Sequence, residues 1–146
     1  MKTLGELVKN KPVYVVNKDQ TVLEAVRDMV RYNVGAVPVV DGDRLAGIFS
    51  ERDLMVRCVP GGLDLSKTKV EDVMTKELIV TNINDSYEEC LIIMKKKGIR
   101  HLPVIEDDRL AGVVSLRDLM QIDVEEKEQK IDVLHSYIHY NPKGNK

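Results

Sequence analysis

Two short stretches carry residue types that bind anions and polar ligands: Ser50-Glu51-Arg52-Asp53 and Ser115-Leu116-Arg117-Asp118. In each, a hydroxyl, a guanidinium and a carboxylate fall within four residues at what reads as a helix start, where free N–H groups and the helix dipole favour a negative group. Read singly, Ser-x-x-Asp is also a plain N-cap with an acid in the first turn, contributing about 1 kcal/mol with no ligand at all. A basic pair, Arg100-His101, stands ahead of the second stretch, whereas Gly35-Ala36 stands at the matching place ahead of the first. The sequence groups no nucleophile, base and orienting residue together and has no G-x-x-x-x-G-K phosphate loop, so an enzymatic reading has little to rest on. His135 and His139 are four apart, but Ser136 stands where a zinc protease helix carries Glu and no third ligand is evident, so no metal site is expected. Cys58 and Cys90 lack C-x-x-C spacing and read as reduced thiols of a cytoplasmic protein.

The elements that must position these groups repeat along the chain. Residues 36–55 (AVPVVDGDRLAGIFSERDLM) align with residues 101–120 (HLPVIEDDRLAGVVSLRDLM) at 12 of 20 positions, an offset of 101 − 36 = 65. The same offset sets Thr21-x-x-Glu24 on Ser86-x-x-Glu89 and Met29 on Met94. A fixed internal period marks a duplicated supersecondary unit. Each copy is predicted to begin with a β-branched strand (12–16 and 78–80). A capping box then opens an amphipathic helix, with Val22, Ala25, Val26, Met29 and Val30 or Tyr87, Cys90, Leu91 and Met94 on the apolar stripe. That helix is predicted to end at Asn33 or Gly98, residues that tolerate positive φ. A hairpin follows (37–40 with 45–49, and 102–105 with 110–114), then a second helix from Ser50 or Ser115.

A β-α-β-β-α unit with both helices on one side of its sheet leaves the other face bare. Two copies are therefore expected to pack about a pseudo-twofold axis as an α+β sandwich. The breaker Val59-Pro60-Gly61-Gly62 divides repeat 1 (1–62) from repeat 2 (63–122), and 123–146 form a helical tail. In the tail Val124, Ile131 and Ile138 recur at seven with Leu134 between, which suits either a brace across the module or a dimer contact.

Composition narrows the function classes. The 146 residues are 43% apolar with a net charge of −2, which gives no global field for nucleic acid or an anionic membrane. One Phe, five Tyr and no Trp predict aliphatic walls rather than a base-stacking platform. No apolar run is long enough for a signal peptide or a membrane span.

Together these residues resemble tandem CBS domains, the paired Bateman module, over roughly residues 3–122. The likeness is carried by a Pro-Val strand in each copy, by Gly47-Ile48-Phe49-Ser50-Glu51-Arg52-Asp53 and Gly112-Val113-Val114-Ser115-Leu116-Arg117-Asp118, and by Val73-Met74-Thr75 before the second copy. The resemblance implies a stand-alone, non-catalytic regulatory protein that binds adenosine-containing ligands in the cleft between the copies. It assigns Asp53 and Asp118 to the ribose hydroxyls, and Ser50, Ser115, Arg52 and Arg117 to phosphate or ribose. Val13, Tyr14, Leu78 and Ile79 are assigned to the adenine, and Arg100 and His101 to ligand phosphate. Both acids are expected to hold a ribose, while phosphate affinity is expected to rest on Arg100 and His101, because copy one has Gly35 and Ala36 there. The implied ligand is AMP, ADP or ATP, with S-adenosylmethionine and NAD in the same class; no cofactor is required. The implied partners are a second copy in a homodimer and a regulated protein, with no nucleic acid or membrane. The competing reading is a structural or protein-interaction module with vestigial clefts.

Overall fold

The computed structural model describes residues 3–139, with side chains through residue 134. Copy one comprises α1 (Leu4–Val8), β1 (Val16–Asn17), α2 (Val22–Tyr32), β2 (Ala36–Asp41), β3 (Arg44–Ser50) and α3 (Glu51–Asp53), which runs into a π-helical turn, Leu54–Cys58. After a 3-10 turn at Val70–Asp72, copy two comprises β4 (Thr81–Asn82), α4 (Tyr87–Lys97), β5 (His101–Glu106), β6 (Arg109–Ser115) and α5 (Leu116–His139). The sheets have the orders β1-β2-β3 and β4-β5-β6. Val16 pairs with Val39 in one and Thr81 with Val104 in the other, and each hairpin is irregular at the next residue, Val40 or Ile105. The duplication read from the sequence is thus reproduced in register.

The leading strands are shorter than expected. Residues 12–15 and 78–80 join no sheet, and pairing is confined to Val16–Asn17 and Thr81–Asn82. The cause lies in the neighbouring strand. Pro38 and Pro103 bring no N–H, and each parallel ladder begins only at the following residue, Val39 or Val104. The backbone of 12–15 is left beside β2 without a ladder partner.

The helix ends follow the sequence more closely. Thr21 and Glu24 form a complete capping box, and Asn33 closes α2 at φ 57° just as Gly98 closes α4 at φ 67°. At Ser86 only one half of the expected box forms: its hydroxyl accepts from the Glu89 N–H.

Two cores exchange segments. Leu4 and Val8 of α1 pack with Tyr87, Leu102 and Leu119 of copy two, while Val70, Val73 and Met74 pack with Val22, Val37 and Phe49 of copy one. Backbone bonds fasten both exchanges, Leu4 N–H to Asp85 O at 3.0 Å and Val70 N–H to Gln20 O at 2.9 Å. Each exchanged segment crosses a glycine. A Cβ on Gly47 would lie 2.5 Å from Met74 Sδ, and one on Gly112 would lie 2.8 Å from Val8 Cβ.

The tail is not a separate helix: α5 is a single helix of 24 residues that continues the second helix of copy two. Val124, Ile131 and Leu134 are exposed along it, so they form no brace across the module. The side chains of His135, Ser136, Ile138 and His139 lie outside the described residues.

Candidate functional site

The leading segment of copy one and the hairpin end of copy two meet at a cleft of about 410 Å³. Lys11, Val13 and Tyr14 line it from the unpaired segment, and Pro38 lines it from β2. His101 on β5, Ser115 at the end of β6 and Asp118 in the first turn of α5 complete it. Five residues singled out in the sequence (Val13, Tyr14, His101, Ser115, Asp118) are thereby brought together, although they come from opposite copies. The Ser115 hydroxyl caps α5 by accepting the Asp118 N–H at 3.1 Å. That bond holds the backbone of the acid and leaves its carboxylate facing the cleft, where Lys11 Nζ lies 3.3 Å from Oδ2. Both partners are about half exposed, so the pair is weak and easily exchanged.

A shallower hollow of about 510 Å³ adjoins the cleft and shares His101 and Ser115 with it. Arg100 and Arg117 line this hollow at the N-terminal end of α5, together with Gln121. Cationic side chains, a helix start and a capping hydroxyl there form an anion-attracting surface beside the cleft. His101 contributes differently from the arginines. Burial pushes its pKa down, with Arg100 adding to the effect, while the carboxylates of Asp118 and Glu51 pull it partly back. Near neutral pH it is therefore a neutral imidazole, with one donor and one acceptor, rather than a fixed charge.

The matching groups of copy one are arranged otherwise. Asp53 is buried, its Oδ2 accepting the Ser50 N–H at 3.0 Å and hydroxyl at 3.1 Å, its Oδ1 the Thr75 hydroxyl at 3.1 Å. Arg52 is exposed on α3, Leu78 is half-buried and Ile79 exposed. The loss of Arg100 and His101 equivalents in copy one has a visible consequence: the space over Gly35 is taken by the Glu51 carboxylate, 3.0 Å from where a Cβ would stand.

Two features went unread in the sequence. Lys11 is one of two basic residues in Lys9-Asn10-Lys11, and nothing in that run distinguishes the one that faces Asp118. Tyr14 stacks on Tyr32 with ring centroids 4.2 Å apart, and the Arg31 guanidinium lies 5.2 Å above the Tyr32 ring. The cleft wall is thus partly aromatic, where the scarcity of aromatics predicted aliphatic side chains. The thiols line neither the cleft nor the hollow: burial pushes both Cys58 and Cys90 up from their ordinary pKa, and neither is in a disulfide. Among the described residues no group of three metal-ligating side chains occurs, and no helix is long and apolar enough to cross a membrane.

Comparison with known proteins agrees with this architecture. The CBS domain profile matches residues 4–59 and 70–125. A mitochondrial CBS domain-containing protein of Arabidopsis thaliana is 37% identical over 125 residues, which is 82% of this chain and 61% of the plant protein. The structure of a protein with CBS domains from Burkholderia ambifaria superposes with a TM-score of 0.78 at 33% identity, covering 85% of this chain and 95% of that one. The CBS domain pair of protein MJ0100, solved in complex with 5′-methylthioadenosine and S-adenosyl-L-methionine, has a TM-score of 0.75 at 22% identity, covering 86% and 98% of the two chains.

Proposed function

The chain belongs to the CBS-domain family, and from that premise we propose that it is a non-catalytic regulatory module whose Asp118 cleft binds the adenosine part of AMP, ADP or ATP. One observation carries the reading: Asp118 shares a cleft with the unladdered backbone of Val13 and Tyr14, and a cationic hollow opens beside it. A carboxylate accepts both hydroxyls of a cis-diol, and free backbone donors and acceptors read the edge of a base. Tyr14, backed by Tyr32, offers the base a rigid face. Arg100, Arg117 and the Lys11 ammonium favour an anionic tail on the ligand, which ranks the phosphate-bearing AMP, ADP, ATP and NAD above S-adenosylmethionine with its sulfonium cation. The complex of MJ0100 supports the adenosine class and leaves the tail to the residues at the rim.

Adenosine and AMP titrated into the unmodified chain and the Arg100→Ala variant test this division of labour. The variant is expected to weaken AMP by about 10-fold, the loss of one charge-assisted contact, while adenosine changes less than about 3-fold. An unchanged ratio of the two affinities removes Arg100 from the phosphate site.

The module is proposed to act as a homodimer. Met55 and Val59 after α3, and Met120 and Val124 on α5, are apolar and exposed at corresponding places in the two copies. Such helical surfaces suit a second copy. Light scattering is expected to give the mass of two 16.6 kDa chains, and a monomer across micromolar concentrations excludes the assembly. A ligand then acts by favouring one dimer shape over another, which requires different affinities for the two. Buried, unpaired Cys58 and Cys90 support a reducing compartment such as the cytoplasm.

A further inference from the structure

The two acids of the duplicated motif have opposite surroundings. Asp118 is about half exposed and pairs with Lys11, whereas Asp53 is buried and accepts from Ser50 and from Thr75. Arg57 adds a third tie. Its Nε lies 3.8 Å from Asp53 Oδ1, and its Nη1 donates to the carbonyls of Val73 at 3.1 Å and Met74 at 2.9 Å. The same stretch is bound through its backbone, with Ile48 and Thr75 exchanging N–H to O bonds of 3.0 and 2.8 Å. Asp53, Arg57 and Thr75 therefore fasten the start of α3 to the segment that leads into copy two.

This arrangement belongs to copy one alone. At the offset of 65, Arg57 aligns with Ile122, which carries no donor. Arg57 lies in the π-helical turn Leu54–Cys58, whereas α5 continues as a regular helix through Ile122. A diol entering at Asp53 would have to displace the Thr75 hydroxyl from a buried carboxylate and leave that hydroxyl short of an acceptor. At Asp118 it need only displace an exposed lysine.

We infer that Asp53 is a structural latch between the two copies rather than a second ribose acceptor, so that each chain takes one adenosine ligand, at Asp118. The stoichiometry rests on the nucleotide reading above; the latch stands without it. Two measurements on the full chain keep them apart. In thermal melting without ligand, Thr75→Val and Arg57→Met are each expected to lower the melting temperature by several degrees, and the double variant by less than the sum, because both act on one carboxylate. Additive losses, or losses no larger than that of Asp118→Asn, overturn the latch. In calorimetric titration with AMP, one ligand per chain is expected, and Thr75→Val is expected to bind AMP within about 3-fold of the unmodified chain. Two ligands per chain overturn the single-site assignment. An absence of AMP binding by the unmodified chain counts against that assignment and against the nucleotide reading together, while the melting data still decide the latch.

Discussion

Replacing Asp118 with Ala is expected to weaken AMP binding by about 100-fold or more. The carboxylate would accept two ribose hydroxyls, and hydrogen bonds to a charged acceptor contribute about 1.5–3 kcal/mol each, so the loss of both amounts to about 3 kcal/mol or more. Folding is expected to change little. The side chain pairs with Lys11 across a half-exposed gap, a contact contributing about 0–1 kcal/mol, and the cap that starts α5 runs from the Asp118 backbone to Ser115 and survives the substitution. The variant should therefore melt within a few degrees of the unmodified chain while losing its ligand. Titration calorimetry with AMP reads the first effect and thermal melting the second. An unchanged affinity removes Asp118 from the site.

The largest effect on stability is expected at Gly47. A Cβ there would stand 2.5 Å from Met74 Sδ and 2.8 Å from the Thr75 carbonyl oxygen. Met74 has a flexible end that can yield, but the Thr75 oxygen is backbone and accepts the Ile48 N–H at 3.0 Å. Moving it breaks the bridge that holds the 70–75 segment to the first sheet. Gly47→Val is expected to cost about 3 kcal/mol or more, combining overpacking with a lost bridge, and to lower the melting temperature by about 10 °C. Gly42→Ala is the control. Gly42 sits at φ +68° with nothing near its Cβ position, so the change costs only the backbone strain of about 1 kcal/mol. Equal losses at the two positions would show that the close crossing at Gly47 does not matter.

Much of this molecule was legible because it was written twice. The 65-residue offset predicted both hairpins, both first helices and their Asn33 and Gly98 stops, since each signal was local and could be checked against its copy. What the period could not convey is which copy each segment packs on. Leu4 and Val70 carry the same apolar signal whether they pack on their own sheet or on the neighbour's, so the exchange of core segments appears only in three dimensions. The shortened leading strands depended on a cross-strand effect, a proline in β2 opposite residues that look like strand formers by themselves.

The site divides in the same way. The Ser-x-Arg-Asp motif located both acids but read them as equivalent. Their difference lies in Thr75 and Arg57, one distant by 22 residues and the other placed by a π-helical turn that leaves no clear mark in the sequence. Lys11 was missed because a basic run has no signal for which member turns inward, and the Tyr14–Tyr32 stack because composition counts aromatics without placing them. His101 lies where the cleft and the hollow meet, and burial lowers its pKa, a property of the folded surroundings that the Arg100-His101 pair does not convey; charge is then supplied by Arg100 and Arg117 in the hollow and by Lys11 in the cleft.

The most direct test of the central claim is thermal melting of the full chain with AMP, ADP, ATP, S-adenosylmethionine and NAD, each at millimolar concentration. A ligand at about 100 times its dissociation constant stabilises the folded state by about 2.7 kcal/mol. At least one adenine nucleotide is expected to raise the melting temperature by several degrees, and Asp118→Ala to abolish the shift. If none of the five ligands moves the unmodified chain, adenosine binding at the Asp118 cleft is contradicted, and the reading left standing is a protein-interaction module.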